Sequence, residues 1–259
     1  MDEIKIISKE EFNLINSEYP FNKDLFAKDY YLTLILYLIK DIEGMYFKGG
    51  TALNKIFLSH ARLSEDIDFT LTRNEREIKT EIIELLNKTN LFVEIIDGKN
   101  VDGFIRLIVK YKSELGEGEI FIDLNKRAKL LLSSEEHNVK HFYEEFIPRF
   151  FIRTVAQEEL IAEKVAAAIG RNKPRDHFDI YMILKEKLPL NMKLVEKKCL
   201  ESGDEFSIIK MFNRAQKLKR GWDEDMLALI SEPITFEEVM KSLAKHFKLK
   251  EEKERLKNV

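Results

Sequence analysis

Apolar residues recur at helical spacing through Asp24–Glu43, where Leu25, Tyr31, Leu32, Ile35, Leu36, Leu38 and Ile39 form a wide stripe. Met45-Tyr46-Phe47-Lys48 reads as a short strand halted by Gly49-Gly50, and Thr51–His60 as a helix with Leu53, Ile56 and Phe57 on one side. The period then changes from helical to two. Ile67, Phe69 and Leu71 alternate with Asp66, Asp68 and Thr70, which predicts a strand whose acidic residues share one face. Asn74–Lys88 returns to an amphipathic helix carrying Ile78, Ile82, Leu85 and Leu86. Strands are predicted over Leu91–Ile96, Phe104–Tyr111 and Glu119–Leu124, separated by turns at Asp97-Gly98 and Gly116-Glu117-Gly118. Helices follow over Gln157–Ile169, Pro174–Lys185, Leu190–Glu201, Phe206–Leu218, Asp223–Ile230 and Phe236–Phe247. Pro174 suits the first turn of its helix. Leu249–Val259 is dense in charge and is expected to fray.

Strands and helices mix in the first part of the chain and helices alone fill the second. This segregation predicts an α+β domain over residues 1–150 followed by a helical bundle over 151–259. Composition narrows the classes. The 259 residues include 18 Phe, enough with the aliphatic side chains for a real core, so global disorder is excluded. Lys and Arg number 43 against 46 Asp and Glu, which excludes a uniformly basic coat. Residues 171–220 nonetheless hold 13 Lys/Arg against 7 Asp/Glu. That stretch reads either as an RNA-facing surface or as the basic half of a balanced protein. Cys199 is the one cysteine, so no intramolecular disulfide and no cysteine-based zinc site can form. With the acidic Met1-Asp2-Glu3 start, this leads us to expect a cytoplasmic protein. Its longest uncharged apolar run, Tyr30–Ile39, falls short of the ~20 residues a membrane span needs. His137 and His141 are spaced i, i+4 without a third ligand beside them and are read as exposed helix residues.

Three features carry chemistry. Gly49-Gly50-Thr51 ends a strand and opens a helix, a setting in which backbone N–H groups can approach phosphate. Asp66-Ile67-Asp68 places two carboxylates on one strand face, a hard-oxygen set suited to Mg²⁺. Asp123 stands in a strand otherwise dominated by Ile, Phe and Leu, where a carboxylate is costly unless paired or metal-bound. Each alone has a plain structural reading: a turn, a solvated face, a strand end. Together they form a layout for handling phosphoryl groups, in which bound metals would stabilise the attacking and leaving oxygens. No Gly-x-x-x-x-Gly-Lys-Ser/Thr segment occurs, which disfavours a kinase of that type.

Phe47-Lys48-Gly49-Gly50-Thr51-Ala52-Leu53, followed by Arg62-Leu63-Ser64-Glu65-Asp66-Ile67-Asp68-Phe69, resembles the first motif of AbiEii/AbiGii-type nucleotidyltransferases, members of the DNA polymerase β-like superfamily. The resemblance continues through Glu158-Glu159-Leu160-Ile161-Ala162-Glu163-Lys164 and Arg171-Asn172-Lys173-Pro174-Arg175-Asp176-His177-Phe178-Asp179-Ile180-Tyr181. It implies a nucleotidyltransferase-type mixed sheet with flanking helices and a helical bundle behind it. It also implies transfer of a nucleoside monophosphate from an NTP, with Mg²⁺ (or Mn²⁺), to an acceptor such as the 3′ end of a tRNA or another RNA. A protein or small-molecule acceptor, or a non-catalytic module that kept the fold, are the alternatives. A toxin of this kind implies a cognate antitoxin encoded nearby. The expected catalytic and metal-holding residues are Asp66, Asp68 and Asp123, with Lys164 as a phosphate clamp. Asp123 would complete the metal site or take the acceptor's proton. Gly49, Gly50, Thr51, Ser64, Arg175, Asp176 and Asp179 are the further nucleotide-binding candidates. On its helix Lys164 shares a face with Leu160 and Ala168, which would lean it inward. Arg175 and Asp179 are i, i+4 and could simply pair with each other. Asp176 could simply complement the helix dipole. His177 is expected to pack rather than to react.

Overall fold

The computed structural model describes residues 4–171 and 173–257. The chain divides into two compact units, Met1–Ala156 and Gln157–Val259.

The first unit opens with α1 (Lys9–Glu18), a helix that the apolar pattern does not announce because Phe12 is its sole buried residue. Its start is fixed locally: Ser8 and Glu11 exchange side-chain and backbone hydrogen bonds in a capping box. Helix α2 (Lys23–Ile39) is capped by Asn22 Oδ1, which accepts from the amides of Asp24 and Leu25. It is buried on nearly every side rather than along one stripe. The added cover comes from the segment around 140–150: the Tyr143 hydroxyl donates to the Phe26 carbonyl, and Phe150 packs edge-on against Tyr37.

Strand β1 (Met45–Lys48) leads into α3 (Gly49–Ala52), which continues as a π turn over Leu53–Phe57 where a plain helix is expected. Then come β2 (Asp66–Leu71), α4 (Glu75–Asn87), β3 (Glu94–Val101), β4 (Phe104–Ser113), β5 (Gly116–Asn125), β6 (Glu135–Asn138) and β7 (Phe151–Thr154). Among the described residues they form a seven-stranded mixed sheet in the order β3-β4-β5-β2-β1-β7-β6. β1 runs antiparallel to β2 and parallel to β7, while β2 runs parallel to β5. Ile67, Phe69, Leu107, Val109, Ile122 and Leu124 fill the core beneath the sheet.

Three expectations are corrected here. Asp97-Gly98 is no turn; it lies within β3, whose register with β4 shifts between Asp97 and Asn100, and the reversal falls at Asp102-Gly103 instead. Gly116-Glu117-Gly118 is no turn either; it opens β5, and the reversal falls at Glu114-Leu115. His137 and His141 are not exposed helix residues: His137 lies on β6, and His141 is buried after it, its ring stacked on Phe150.

The second unit is helical: α5 (Gln157–Gly170), α6 (Pro174–Lys185), α7 (Met192–Glu201), a 3₁₀ turn at Ile208–Phe212, α8 (Ala215–Gly221), a π turn at Trp222–Met226, α9 (Phe236–His246) and α10 (Leu249–Lys257). The helix expected over Phe206–Leu218 is thus interrupted near Asn213, and that over Asp223–Ile230 is reduced to the π turn. The C-terminal stretch expected to fray is helical as far as Lys257; Asn258 and Val259 lie outside the described residues, as do Asn172 and Met1-Asp2-Glu3. Trp222 anchors this unit, packed against Phe178 and Phe236 with its indole N–H donating to the Ile234 carbonyl. No helix among the described residues is long and apolar enough to cross a membrane.

Candidate functional site

Strand alternation and register place the candidate acids. In β2, Ile67 and Phe69 turn into the core, so Asp66 and Asp68 stand on the opposite face, half-buried. The parallel register with β5 sets Asp68 beside Asp123 and Asp66 beside Phe121. Neighbouring strands lie about 5 Å apart, so the backbone alone gathers three carboxylates on one face. β1 adds Lys48, the register partner of Asp68 across the antiparallel pair.

The Gly-Gly-Thr turn closes over these acids. Gly49 has φ +79, a conformation that suits glycine, and a Cβ there would collide with the Asp68 carboxylate. The missing side chain is therefore what admits Asp68. The Thr51 hydroxyl is committed to the backbone, donating to the Asp66 carbonyl at 2.5 Å, so it ties the turn to β2. Asn54 acts as a clip between the turn and the segment before β2: it donates to the Gly50 carbonyl at 3.0 Å and accepts from the Arg62 amide at 3.2 Å. Arg62 is itself buried, and its guanidinium donates to the Leu63 carbonyl and the Ser64 hydroxyl. Ser64 is thus part of the frame.

Asp123 has a partner that the sequence reading did not name. Arg106 of β4, its register partner, grips it through two parallel hydrogen bonds, Nε to Oδ1 and Nη2 to Oδ2, each 2.6 Å. These bonds raise the Arg106 guanidinium above its ordinary value against the cost of partial burial, and the charges of Asp123, Asp66 and Asp68 add to the effect. Among the described residues no group of three His, Cys, Asp or Glu side chains is arranged to hold a metal ion as it stands. Both Asp123 oxygens are engaged by Arg106. The donor chemistry of Asp66, Asp68 and Asp123 still fits a hard divalent cation, and the Gly49 gap supplies room beside Asp68.

In the second unit the structure brings together Lys164, Asp176 and Asp179. Lys164 of α5 is buried, and its ammonium lies 3.0 Å from Asp176 Oδ1 and 2.9 Å from Asp179 Oδ2, both on α6. Arg171 adds a two-pronged contact to Asp176 at 2.7 Å on each oxygen. Burial pushes the Asp176 carboxyl up, but Lys164 and Arg171 outweigh it and hold the group well below the usual carboxylate range. Asp176 therefore does more than complement a helix dipole, and the Asp179 carboxylate meets Lys164. Arg175 is half-buried in the first turn of α6. His177 packs as expected, its two ring nitrogens facing the carbonyls of Lys173 and Met211.

Arg106, Asn54 and Arg62 are the site residues that sequence reasoning missed. One signal for Arg106 was available: a single arginine in the apolar strand Phe104-Ile105-Arg106-Leu107-Ile108-Val109.

Two solved structures share the fold. The crystal structure of JHP933 from Helicobacter pylori aligns over 92% of this chain and 98% of its own, with 20% identity and a TM-score of 0.60. A protein from H. pylori described as a candidate nucleotidyltransferase aligns over 88% and 95%, with 20% identity and a TM-score of 0.63. No curated protein matches the sequence. The class is that of the nucleotidyltransferase fold, an α+β architecture with helices following the mixed sheet. The family is narrower. The model of the AbiEii nucleotidyl transferase toxin, of type IV toxin–antitoxin systems, matches residues 36–242, and the chain belongs to that family. It is a nucleotidyltransferase.

Proposed function

We propose that this nucleotidyltransferase moves a nucleoside monophosphate from an NTP to an RNA acceptor, the 3′ end of a tRNA being the candidate, in a reaction that depends on Mg²⁺ or Mn²⁺. The observation that carries the reading is the register of β2 with β5, which sets Asp68 beside Asp123 with Asp66 two residues away on the same face and the Gly49 turn against Asp68. Asp66, Asp68 and Asp123 would hold the cation. When bound, it would neutralise charge on the reacting phosphate and on the departing pyrophosphate. Gly49, Gly50 and Thr51 would present backbone N–H groups to the phosphates, with Ser64 and Arg62 fixing the edge of the turn. The acceptor hydroxyl would attack the α-phosphorus, the bond to the bridging oxygen would break, and the hydroxyl's proton would pass to water.

In this reading residues 1–150 are the nucleotidyltransferase domain and 151–259 the helical domain. Lys164, with Asp176, Asp179 and Arg175, would serve nucleotide handling from the helical domain. The RNA acceptor is supported by a groove of about 460 Å³ between α6 and α9, lined by Tyr181, Leu184, Lys185, Ser242, Lys245 and His246, none of them acidic. Family membership supports a further partner, a cognate antitoxin protein encoded nearby. A cytoplasmic location fits an RNA acceptor.

The test is direct. Asp66→Asn and Asp68→Asn are made separately, and transfer of each labelled NTP to total RNA is read on a gel with Mg²⁺. Each variant is expected to keep its fold by circular dichroism and to lose transfer. Transfer near the wild-type level in either variant would overturn the assignment. Label appearing on protein, with none on RNA, would replace the acceptor while keeping the site.

A further inference from the structure

We propose that Arg106 is a phosphate-binding residue whose guanidinium has two alternative partners, the Asp123 carboxylate and the triphosphate of an NTP. Binding of a divalent cation by Asp66, Asp68 and Asp123 would shift it from the first to the second. The inference rests on the nucleotidyltransferase site proposed above and assigns it a residue outside its sequence motifs.

Four observations support it. First, the contact is a fork-to-fork pair, both bonds at 2.6 Å, and the same planar fork of donors matches a phosphate as well as a carboxylate. Second, the strands do not need the pair. β4 and β5 are already in register from Phe104–Asn125 to Ser113–Gly116, and a partly exposed ion pair adds little to so long a ladder. Third, the two partners differ in access. The Arg106 side chain is 37% exposed and that of Asp123 12%, so a ligand arriving at this face reaches the guanidinium first. Fourth, Arg106 has a second support. Its guanidinium lies 5.1 Å from the centre of the Phe121 ring, and Phe121 is the register partner of Asp66. A guanidinium released by Asp123 would therefore remain over the ring, on the same face as Asp66 and Asp68.

The exchange follows from charge. Both Asp123 oxygens are engaged by Arg106, and a divalent cation competing for them repels the guanidinium. A triphosphate attracts the same group. The two binding events are thus coupled through one side chain, and the coupling must be reciprocal.

The experiment uses the full chain as wild type, Arg106→Gln and Arg106→Lys. Mn²⁺ binding without nucleotide is read from the electron paramagnetic resonance signal of the free ion. Inorganic tripolyphosphate, the part common to all NTPs, is titrated calorimetrically at saturating Mn²⁺, and a urea midpoint reports the fold. Arg106→Gln is expected to bind Mn²⁺ roughly 10-fold more tightly, because Asp123 is freed and a nearby cation is lost. It is expected to bind tripolyphosphate about 10-fold to 100-fold more weakly, the scale of losing a charged hydrogen-bonding group. Arg106→Lys should fall between in both, since it keeps the charge and loses the fork. Opposite signs of the two changes are the signature, because a merely structural role would weaken both together.

Tripolyphosphate affinity unchanged in Arg106→Gln overturns the proposal, as does a parallel loss of both affinities. If Arg106→Gln lowers the urea midpoint sharply, Arg106→Lys decides: weaker tripolyphosphate binding at an unchanged midpoint supports the role, and unchanged binding overturns it. A wild-type protein that binds neither Mn²⁺ nor tripolyphosphate overturns the site assignment along with the Arg106 role. Wild-type binding that neither variant alters overturns the Arg106 role alone.

Discussion

Gly49 shows how much a single position decides at this site. Its positive φ and the closeness of the Asp68 carboxylate leave no space for a side chain. Gly49→Ala is expected to lose about 1–2 kcal/mol from the backbone conformation alone, more from the collision, and with it nucleotidyl transfer. A urea melt and the gel assay check both parts. Two buried histidines give a second residue-scale prediction. Burial, with the Lys55 charge nearby, pushes His141 down to about 4 and His60 well below 6.5. Both are therefore neutral when folded, while the unfolded chain takes up protons below about 6.5. The His141 contribution is complete above that pH and is lost as the pH falls towards 4, at up to about 1.4 kcal/mol per pH unit, and His60 acts in the same direction. The urea midpoint should fall between pH 7 and pH 5, and His60→Gln/His141→Gln should flatten that fall. An unchanged slope in the double variant would show that other groups carry it. At this scale the sequence was legible where the signal is local. The alternation that puts Asp66 and Asp68 on one face needs only six consecutive residues. The Arg106–Asp123 pair spans 17 positions and exists only through cross-strand register, which no local period encodes.

At the scale of elements, buried charge joins neighbouring helices. α5 and α6 are joined by Lys164, Asp176 and Asp179, all withdrawn from solvent. A buried ion pair contributes little net stability, but removing one partner strands the others. Lys164→Ala is expected to destabilise the chain by about 3–5 kcal/mol, seen as a lowered urea midpoint, so lost activity in this variant does not by itself report on catalysis. A midpoint near wild type together with lost transfer would show that the lysine acts on the nucleotide. Lys55 makes the same kind of joint in the first unit. It is buried on the π turn that follows the Gly-Gly-Thr helix, 2.7 Å from Asp29 and 2.9 Å from the Thr33 hydroxyl of α2. Sequence spacing read Lys164 correctly as inward-leaning, because Leu160 and Ala168 flank it on the same face. It missed Lys55 because that inward turn lies on the π turn, whose i→i+5 bonding breaks the period of an ideal helix and so turns a different set of side chains inward. β6 and β7 escaped notice for a related reason: four residues are too few to separate a period of two from chance.

For the whole molecule the informative quantity is the distribution of charge, since the net value of −3 conceals it. The basic stretch over 171–220 supplies Lys185 to the groove between α6 and α9, and α9 supplies Lys245 and His246 from outside that stretch. No local pattern joins the two, because they lie some 60 residues apart and meet only when α6 packs on α9. If this groove carries the RNA backbone, affinity must depend on salt through the release of counterions. Two lysine–phosphate contacts on single-stranded RNA imply a slope near −1.4 in log K against log salt, or roughly 7-fold weaker binding from 50 to 200 mM. Filter binding of labelled total tRNA across that range measures it. Lys185→Glu/Lys245→Glu should weaken binding and flatten the slope, yet leave tripolyphosphate affinity at its wild-type value, because the groove and the acidic face of the sheet are built from different elements. RNA affinity that ignores salt, or that survives the double charge reversal with its slope intact, would remove the groove from the acceptor site and turn the search for the acceptor towards proteins and small molecules.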